Sequence, residues 1–155
     1  MFAGEGAFLA GGRWNPPGLR VVYSSATASL AALESLVHAS SEALLDASVG
    51  WCVARLAWPA ALPTEVLSVA DCAALSSDWN SSGGPALDRP ELQEFGAHWV
   101  AEGKTAILAV PSAVLPAEFN YLFNTAHPDW TRTLRGLPEA FVFDARLVKK
   151  CPSRR

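Results

Sequence analysis

Strand-length apolar runs and helix-length amphipathic segments follow one another in irregular order along this chain. The evenly repeated β-α-β rhythm of a doubly wound sheet is missing, and that mixture points to an α+β fold with small antiparallel or mixed sheets flanked by helices. The β-branched and aromatic run Arg20 to Ser25 (RVVYSS) predicts a strand. The spacing of Leu30, Leu33, Leu36 and Val37 predicts a helix from Ala28 to Ala39 with one apolar stripe, capped by Ser25 or Thr27. At about 100° per residue, Glu34 falls on the shoulder of that stripe, neither opposite it nor within it. Trp51 to Trp58 and Glu65 to Val69 read as strands. Asp88 with Glu91 resembles a capping box that opens a helix ending near Glu102. Thr105 to Val110 reads as a buried strand stopped by Pro111, and Phe141 to Leu147 as the last strand. Residues 1–18 hold five Gly and two Pro, so they read as turns around a short extended piece. Ser76 to Pro90 is the longest loop.

Composition narrows the class. The 155 residues suit one domain; 50% are apolar and 17% charged, which excludes disorder. A net charge of −3 and a pI near 5.6 argue against a nucleic-acid footprint and against a basic membrane-binding surface. The three cysteines, at 52, 72 and 151, form no C-x-x-C, so neither a disulfide framework nor a cysteine-rich zinc site is expected. No apolar run reaches the roughly 18–20 residues of a membrane span. Glu5 and the lack of a basic flank argue against a signal peptide. The expectation is one cytoplasmic domain, residues 1–155.

Several familiar sites fail. Gly4-x-Gly6 is followed by Leu9 where a dinucleotide fingerprint needs Gly or Ala, and no Gly-Lys-Ser/Thr completes a P-loop. Ser112 lies outside any G-x-S-x-G. His38, His98 and His127 share no metal-ligand spacing, so no metal is expected.

Arg13, Tyr23 and Glu34 remain, on a loop, a strand and a helix in succession. Those three side chains are what cleavage of a nicotinamide glycosidic bond requires. A guanidinium can hold the anionic or carboxamide end of the dinucleotide. A tyrosine face stacks on the flat, cationic nicotinamide ring. A carboxylate stabilises the ribose oxocarbenium ion left behind. Each residue also has a plainer reading: Arg13 as the partner of an acidic neighbour, Tyr23 as a half-buried strand aromatic, Glu34 as a surface pair with His38. Ser112 reads equally as a cap for the segment after it. Trp14, Trp79 and Trp99 read as packing residues, with Trp79 also a candidate lid aromatic in its Ser/Gly-rich loop.

The fragments Gly11-Gly12-Arg13-Trp14-Asn15-Pro16-Pro17-Gly18, Val22-Tyr23-Ser24-Ser25 and Leu30-Ala31-Ala32-Leu33-Glu34-Ser35-Leu36-Val37-His38 resemble the RES-domain family. So do Val110-Pro111-Ser112-Ala113-Val114, Asn120-Tyr121-Leu122-Phe123-Asn124, His127-Pro128 and Phe143-Asp144-Ala145-Arg146-Leu147, all in order from residue 11 to residue 147. The family is named for an Arg, a Glu and a Ser, which match Arg13, Glu34 and Ser112. The resemblance implies a fold similar to ADP-ribosyltransferases and a bacterial toxin that consumes NAD as its substrate. Water, phosphate or a protein side chain would accept the ADP-ribose. It also implies an Xre-type antitoxin covering the active-site entrance, with room for a homo-oligomer within that complex. Carried over, Arg13 would grip NAD, Tyr23 would stack on nicotinamide, Glu34 would stabilise the transition state, and Ser112 and Asn124 would line the cleft and bind substrate. The alternative is a catalytically silent NAD-binding, nucleotide-binding or protein-interaction module.

Two departures stand out. Family members begin with a further strand, carrying an Arg, ahead of the glycine-rich stretch; the expectation here is that this strand is missing or lies upstream of Met1. Thr125 follows Asn124 where the family has Pro, which frees that turn without touching the chemistry. The tail carries Arg146, Lys149, Lys150, Arg154 and Arg155, read as a solvated terminus or as a docking patch for an acidic antitoxin surface.

Overall fold

Ile107–Pro111 is a run of small and branched apolar residues, every one of them buried, and it forms a central strand of the main sheet. In the computed structural model, which describes residues 2–39, 50–81 and 89–148, the elements in order are α1 (Glu5–Ala10), β1 (Val21–Ser25), α2 (Ala28–His38), β2 (Cys52–Val53), β3 (Leu56–Ala57) and β4 (Thr64–Val66). There follow α3 (Val69–Leu75), α4 (Pro90–Glu102), β5 (Ile107–Pro111), β6 (Phe119–Asn124), a 3-10 helix (Pro128–Arg132), β7 (Leu134–Arg135), β8 (Glu139–Ala140) and a second 3-10 helix (Ala145–Val148).

The main sheet has the order β1-β6-β5-β4, antiparallel except for the parallel β4–β5 pair. Alternate residues face opposite sides, so the sheet serves two cores. Val21, Leu108, Val110 and Leu122 pack with Trp14, Trp79, Leu92 and Trp99, while Val22, Ile107 and Phe123 pack with Leu62 and Trp130 on the other face. Two short ladders, β2–β8 and β3–β7, flank the sheet. The fold is α+β, as the element order predicts.

Four expectations are corrected. The glycine-rich start contains a helix, α1. Its ends are Gly4 and Gly11 at φ +65° and +71°, where a Cβ would also crowd backbone at 2.9 and 3.0 Å, so these glycines bound the helix instead of breaking it. The single strand expected over Trp51 to Trp58 is two strands with different partners. Phe141 to Leu147 is not a strand: β8 ends at Ala140, Val142 is 87% exposed, and the chain turns into a 3-10 helix. In α2 only Leu30 of the apolar stripe is buried, and Val37 faces solvent.

Thr27 caps α2, its Oγ1 accepting from Leu30 N at 3.0 Å. The Asp88 half of the expected capping box and the basic tail beyond Val148 lie outside the described residues. Among the described residues, no helix is long and apolar enough to cross a membrane.

Candidate active site

The segment Gly12–Asn15 is a tight turn closed by Gly12 N donating to Asn15 O at 2.8 Å. At its tip Trp14 is buried in the core and borders the cavity that Arg13 also lines. Asn15 is fully buried and holds the turn together. Its Nδ2 donates to Ala7 O and Pro16 O at 3.1 and 2.9 Å, and its Oδ1 accepts from the Tyr23 hydroxyl at 2.7 Å. The same hydroxyl accepts from Trp14 N at 3.2 Å, so the phenol ties β1 to the loop. From α4, Gln93 Nε2 donates to Gly12 O at 2.9 Å.

Tyr23 points its hydroxyl into this loop, and the residue as a whole is 40% exposed. Burial pushes the phenol pKa well above its ordinary value, against the opposing pull of the Trp14 N–H and the Arg13 charge. Arg13 donates from Nη1 to the Trp79 carbonyl. Burial, and then the charge of Arg89, lower its pKa, while Glu34, Asp78 and Tyr23 favour its charged form. Arg89 is itself buried and pairs with Asp78 at 3.2 Å.

Glu34 sits on α2 with Ala31, Ser35 and His38 on one helical face. Its Oε1 accepts from Ser112 Oγ at 2.7 Å and from Asn120 Nδ2 at 2.6 Å, and its Oε2 lies 3.7 Å from His38 Nε2.

Arg13, Tyr23 and Glu34 line one cavity of about 580 Å³ between the glycine loop, β1, β6 and α2. The geometry brings these three together, and it gives two other residues different places. Ser112 has no exposed surface. Its hydroxyl donates to Glu34 and accepts from Val114 N and Leu115 N at 3.1 and 2.9 Å, which uses one donor and two acceptor sites and leaves none for a substrate. Asn124 is not at the cavity. Its Nδ2 donates to Val100 O at the end of α4 and its Oδ1 accepts from Ala126 N, which fixes a turn. Asn120, Leu122 and Asn124 share one face of β6, and the residue at the cavity end is Asn120. Sequence reasoning missed Asn120, Ser25 and Asn15 as site residues. A period-two reading of FNYLFN puts both asparagines on one face but cannot choose the end, which depends on where α2 crosses the sheet. Trp79 is a core residue, 3% exposed, and not a lid. Among the described residues no group of three or more His, Cys, Asp or Glu could hold a metal ion.

A sequence model of the RES domain matches residues 1–144. The chain is 34% identical over 151 residues to a Sphingobium sp. (strain YBL2) protein named Prs ADP-ribosylating toxin, covering 96% of this chain and 87% of that one. It is 33% identical over 149 residues to a Photorhabdus laumondii protein named Toxin Res, covering 96% and 88%. Among solved structures, a chain in the crystal structure of the M.tuberculosis MbcT-MbcA toxin-antitoxin complex shares the fold, with a TM-score of 0.69 at 16% identity over 96% of this chain and 80% of that one. With a family match across residues 1–144 and relatives above 30% identity along nearly its whole length, the chain belongs to the RES domain family.

Proposed function

We propose that this protein is a toxin that consumes NAD, cleaving the nicotinamide–ribose bond and passing ADP-ribose to water, phosphate or a protein side chain. The observation that carries this reading is the convergence of Arg13, Tyr23 and Glu34 on a single cavity of about 580 Å³, within the size range of small-molecule sites. The departing nicotinamide takes the C–N electron pair and becomes neutral, and the anomeric carbon becomes cationic. Glu34 meets that charge: with Oε1 occupied by Ser112 and Asn120, Oε2 is the oxygen left for the sugar. Tyr23, half-exposed as a residue, offers its ring face to the cationic pyridinium. Arg13 supplies a planar fork for the pyrophosphate or the carboxamide. The acceptor oxygen then bonds the anomeric carbon and releases its proton.

The name of the Sphingobium relative, an ADP-ribosylating toxin, supports transfer as the outcome. The toxin–antitoxin complex among the structural relatives supports a neutralising protein partner, which we take to be of Xre type and to cover the cavity entrance.

The test is to incubate the purified chain with NAD and follow nicotinamide release with and without phosphate. Release is expected, and Arg13→Ala, Tyr23→Ala and Glu34→Gln each abolish it while retaining the wild-type circular dichroism spectrum. Full activity in Glu34→Gln removes the carboxylate from the mechanism. Calorimetric NAD binding without nicotinamide release overturns the reading in favour of a silent binding module.

A further inference from the structure

One of the two hydrogen bonds at Glu34 Oε1 comes with an anchor of its own. Ser25 and Asn120 stand directly opposite each other in the β1–β6 ladder, and Ser25 Oγ donates to Asn120 Oδ1 at 2.7 Å. Asn120 Nδ2 then donates to Glu34 Oε1 at 2.6 Å. An ionised carboxylate only accepts, so the amide must turn its NH₂ toward Glu34 and its carbonyl toward Ser25. That choice makes the Ser25 hydroxyl a donor, and the direction of the whole relay is fixed. Both Ser25 and Asn120 line the cavity. A carboxylate carried on a helix and lining the cavity is thereby referenced to the sheet, with Oε2 3.7 Å from His38 Nε2.

We infer that Asn120, oriented by Ser25, is a positioning residue for the carboxylate of Glu34. The inference rests on the reading of Glu34 as the group that meets the developing positive charge. A dipole already aimed at the place where charge appears needs no reorganisation during the reaction, and that is the advantage the relay supplies. Ser112, in the turn just after β5, restrains the same oxygen, so a strand and a strand-end turn together fix one atom of α2.

Asn120→Asp keeps the shape of the side chain, removes the donor and sets one carboxylate against another. At neutral pH, kcat for nicotinamide release is expected to fall about 100-fold with the KM for NAD changing less than about threefold. At lower pH the introduced carboxyl takes up a proton and can donate where the amide did, so the ratio of variant to wild-type kcat rises. The other ionisable groups at Glu34 are His38 on the same helix and Arg13 on the glycine loop. Both are present in each protein, so the ratio isolates the substitution. Ser25→Ala is expected to lower kcat roughly tenfold at unchanged KM, and Ser25→Thr, which keeps the hydroxyl, to restore it.

Wild-type kcat in Asn120→Asp, or a deficit that does not vary with pH, overturns the inference. If Asn120→Asp does not fold, the Ser25 pair decides alone: equal rates in the alanine and threonine variants overturn it. A wild-type protein that releases no nicotinamide instead overturns the reading of the cavity. An active wild type, a dead Glu34→Gln and an unaffected Asn120→Asp remove only the positioning role.

Discussion

Ser112 donates its hydroxyl proton to Glu34 Oε1 across 2.7 Å, joining residues 78 positions apart. Ser112 Oγ itself accepts from Val114 N and Leu115 N, so one buried side chain both closes the turn after β5 and restrains the cavity carboxylate. The geometry gives this serine the cap role, and its link to the cavity runs through Glu34, with no bond left for a substrate. Ser112→Ala strands two backbone donors and removes one of the two hydrogen bonds at Glu34 Oε1. It is expected to destabilise the fold by about 1–2 kcal/mol and to lower kcat, as read by urea denaturation and nicotinamide release. An unchanged denaturation midpoint contradicts this account.

Two glycines give opposite expectations for the same substitution. A Cβ at Gly12 would stand 2.7 Å from Tyr23 Oη and 3.1 Å from Asn15 Oδ1, both side-chain atoms that can yield. Gly12→Ala should displace the phenol from the buried Asn15 Oδ1, lowering NAD turnover about tenfold at a cost of about 1–2 kcal/mol for the broken hydrogen bond. At Gly96 the added carbon would fall 1.7 Å from the Trp14 carbonyl oxygen, and backbone cannot yield without parting α4 from the loop. Gly96→Ala should lose about 3 kcal/mol or more. Thermal melts of the pair test this, and a Gly96→Ala melt at the wild-type temperature refutes it.

The parts legible in the sequence are those set by local pattern. Period and capping place α2 within one residue of its observed end, and the β-branched run places β1 within one residue of its start. The convergence of Arg13, Tyr23 and Glu34 follows from chemistry and from the family resemblance, since spacing alone does not bring a loop, a strand and a helix to one hollow. What stayed hidden depends on distant partners. The two-residue strands β2 and β3 exist only because β8 and β7 lie beside them. Asn120 and Asn124 are chemically identical and share a face, and the crossing of α2 alone decides which one meets Glu34. α1 was obscured because its bounding glycines look like turn residues until the left-handed φ at each end is known.

Tyr23 gives a pH signature. Its phenol pKa is raised in the folded state, first by burial, above the ordinary value near 10. The unfolded chain therefore loses this proton first. The contribution is fully present below about pH 10 and is lost as pH rises from there through the folded value. Wild-type stability should fall more steeply above pH 10 than that of Tyr23→Phe, which keeps the ring and lacks the proton. Phenylalanine also gives up the bond to Asn15, so a modest rise in the KM for NAD should accompany it. Parallel alkaline limbs for the two proteins contradict the buried hydroxyl.

Trp79 separates a core residue from a lid. Its ring is 3% exposed and packs with Trp14, Leu92 and Trp99, while its backbone carbonyl accepts from Arg13. Trp79→Ala should cost about 3–5 kcal/mol through the hole it leaves, and the surviving folded fraction should turn over NAD slowly because the loop holding Arg13 loses its support. Trp79→Phe keeps an aromatic ring in the core and the same backbone acceptor, so it should retain most of the turnover at a smaller loss of stability. A lid behaves otherwise: truncating it raises KM and leaves the melt untouched. Measuring both variants by chemical denaturation and steady-state kinetics distinguishes the two, and an unperturbed melt for Trp79→Ala would return this tryptophan to the cavity mouth.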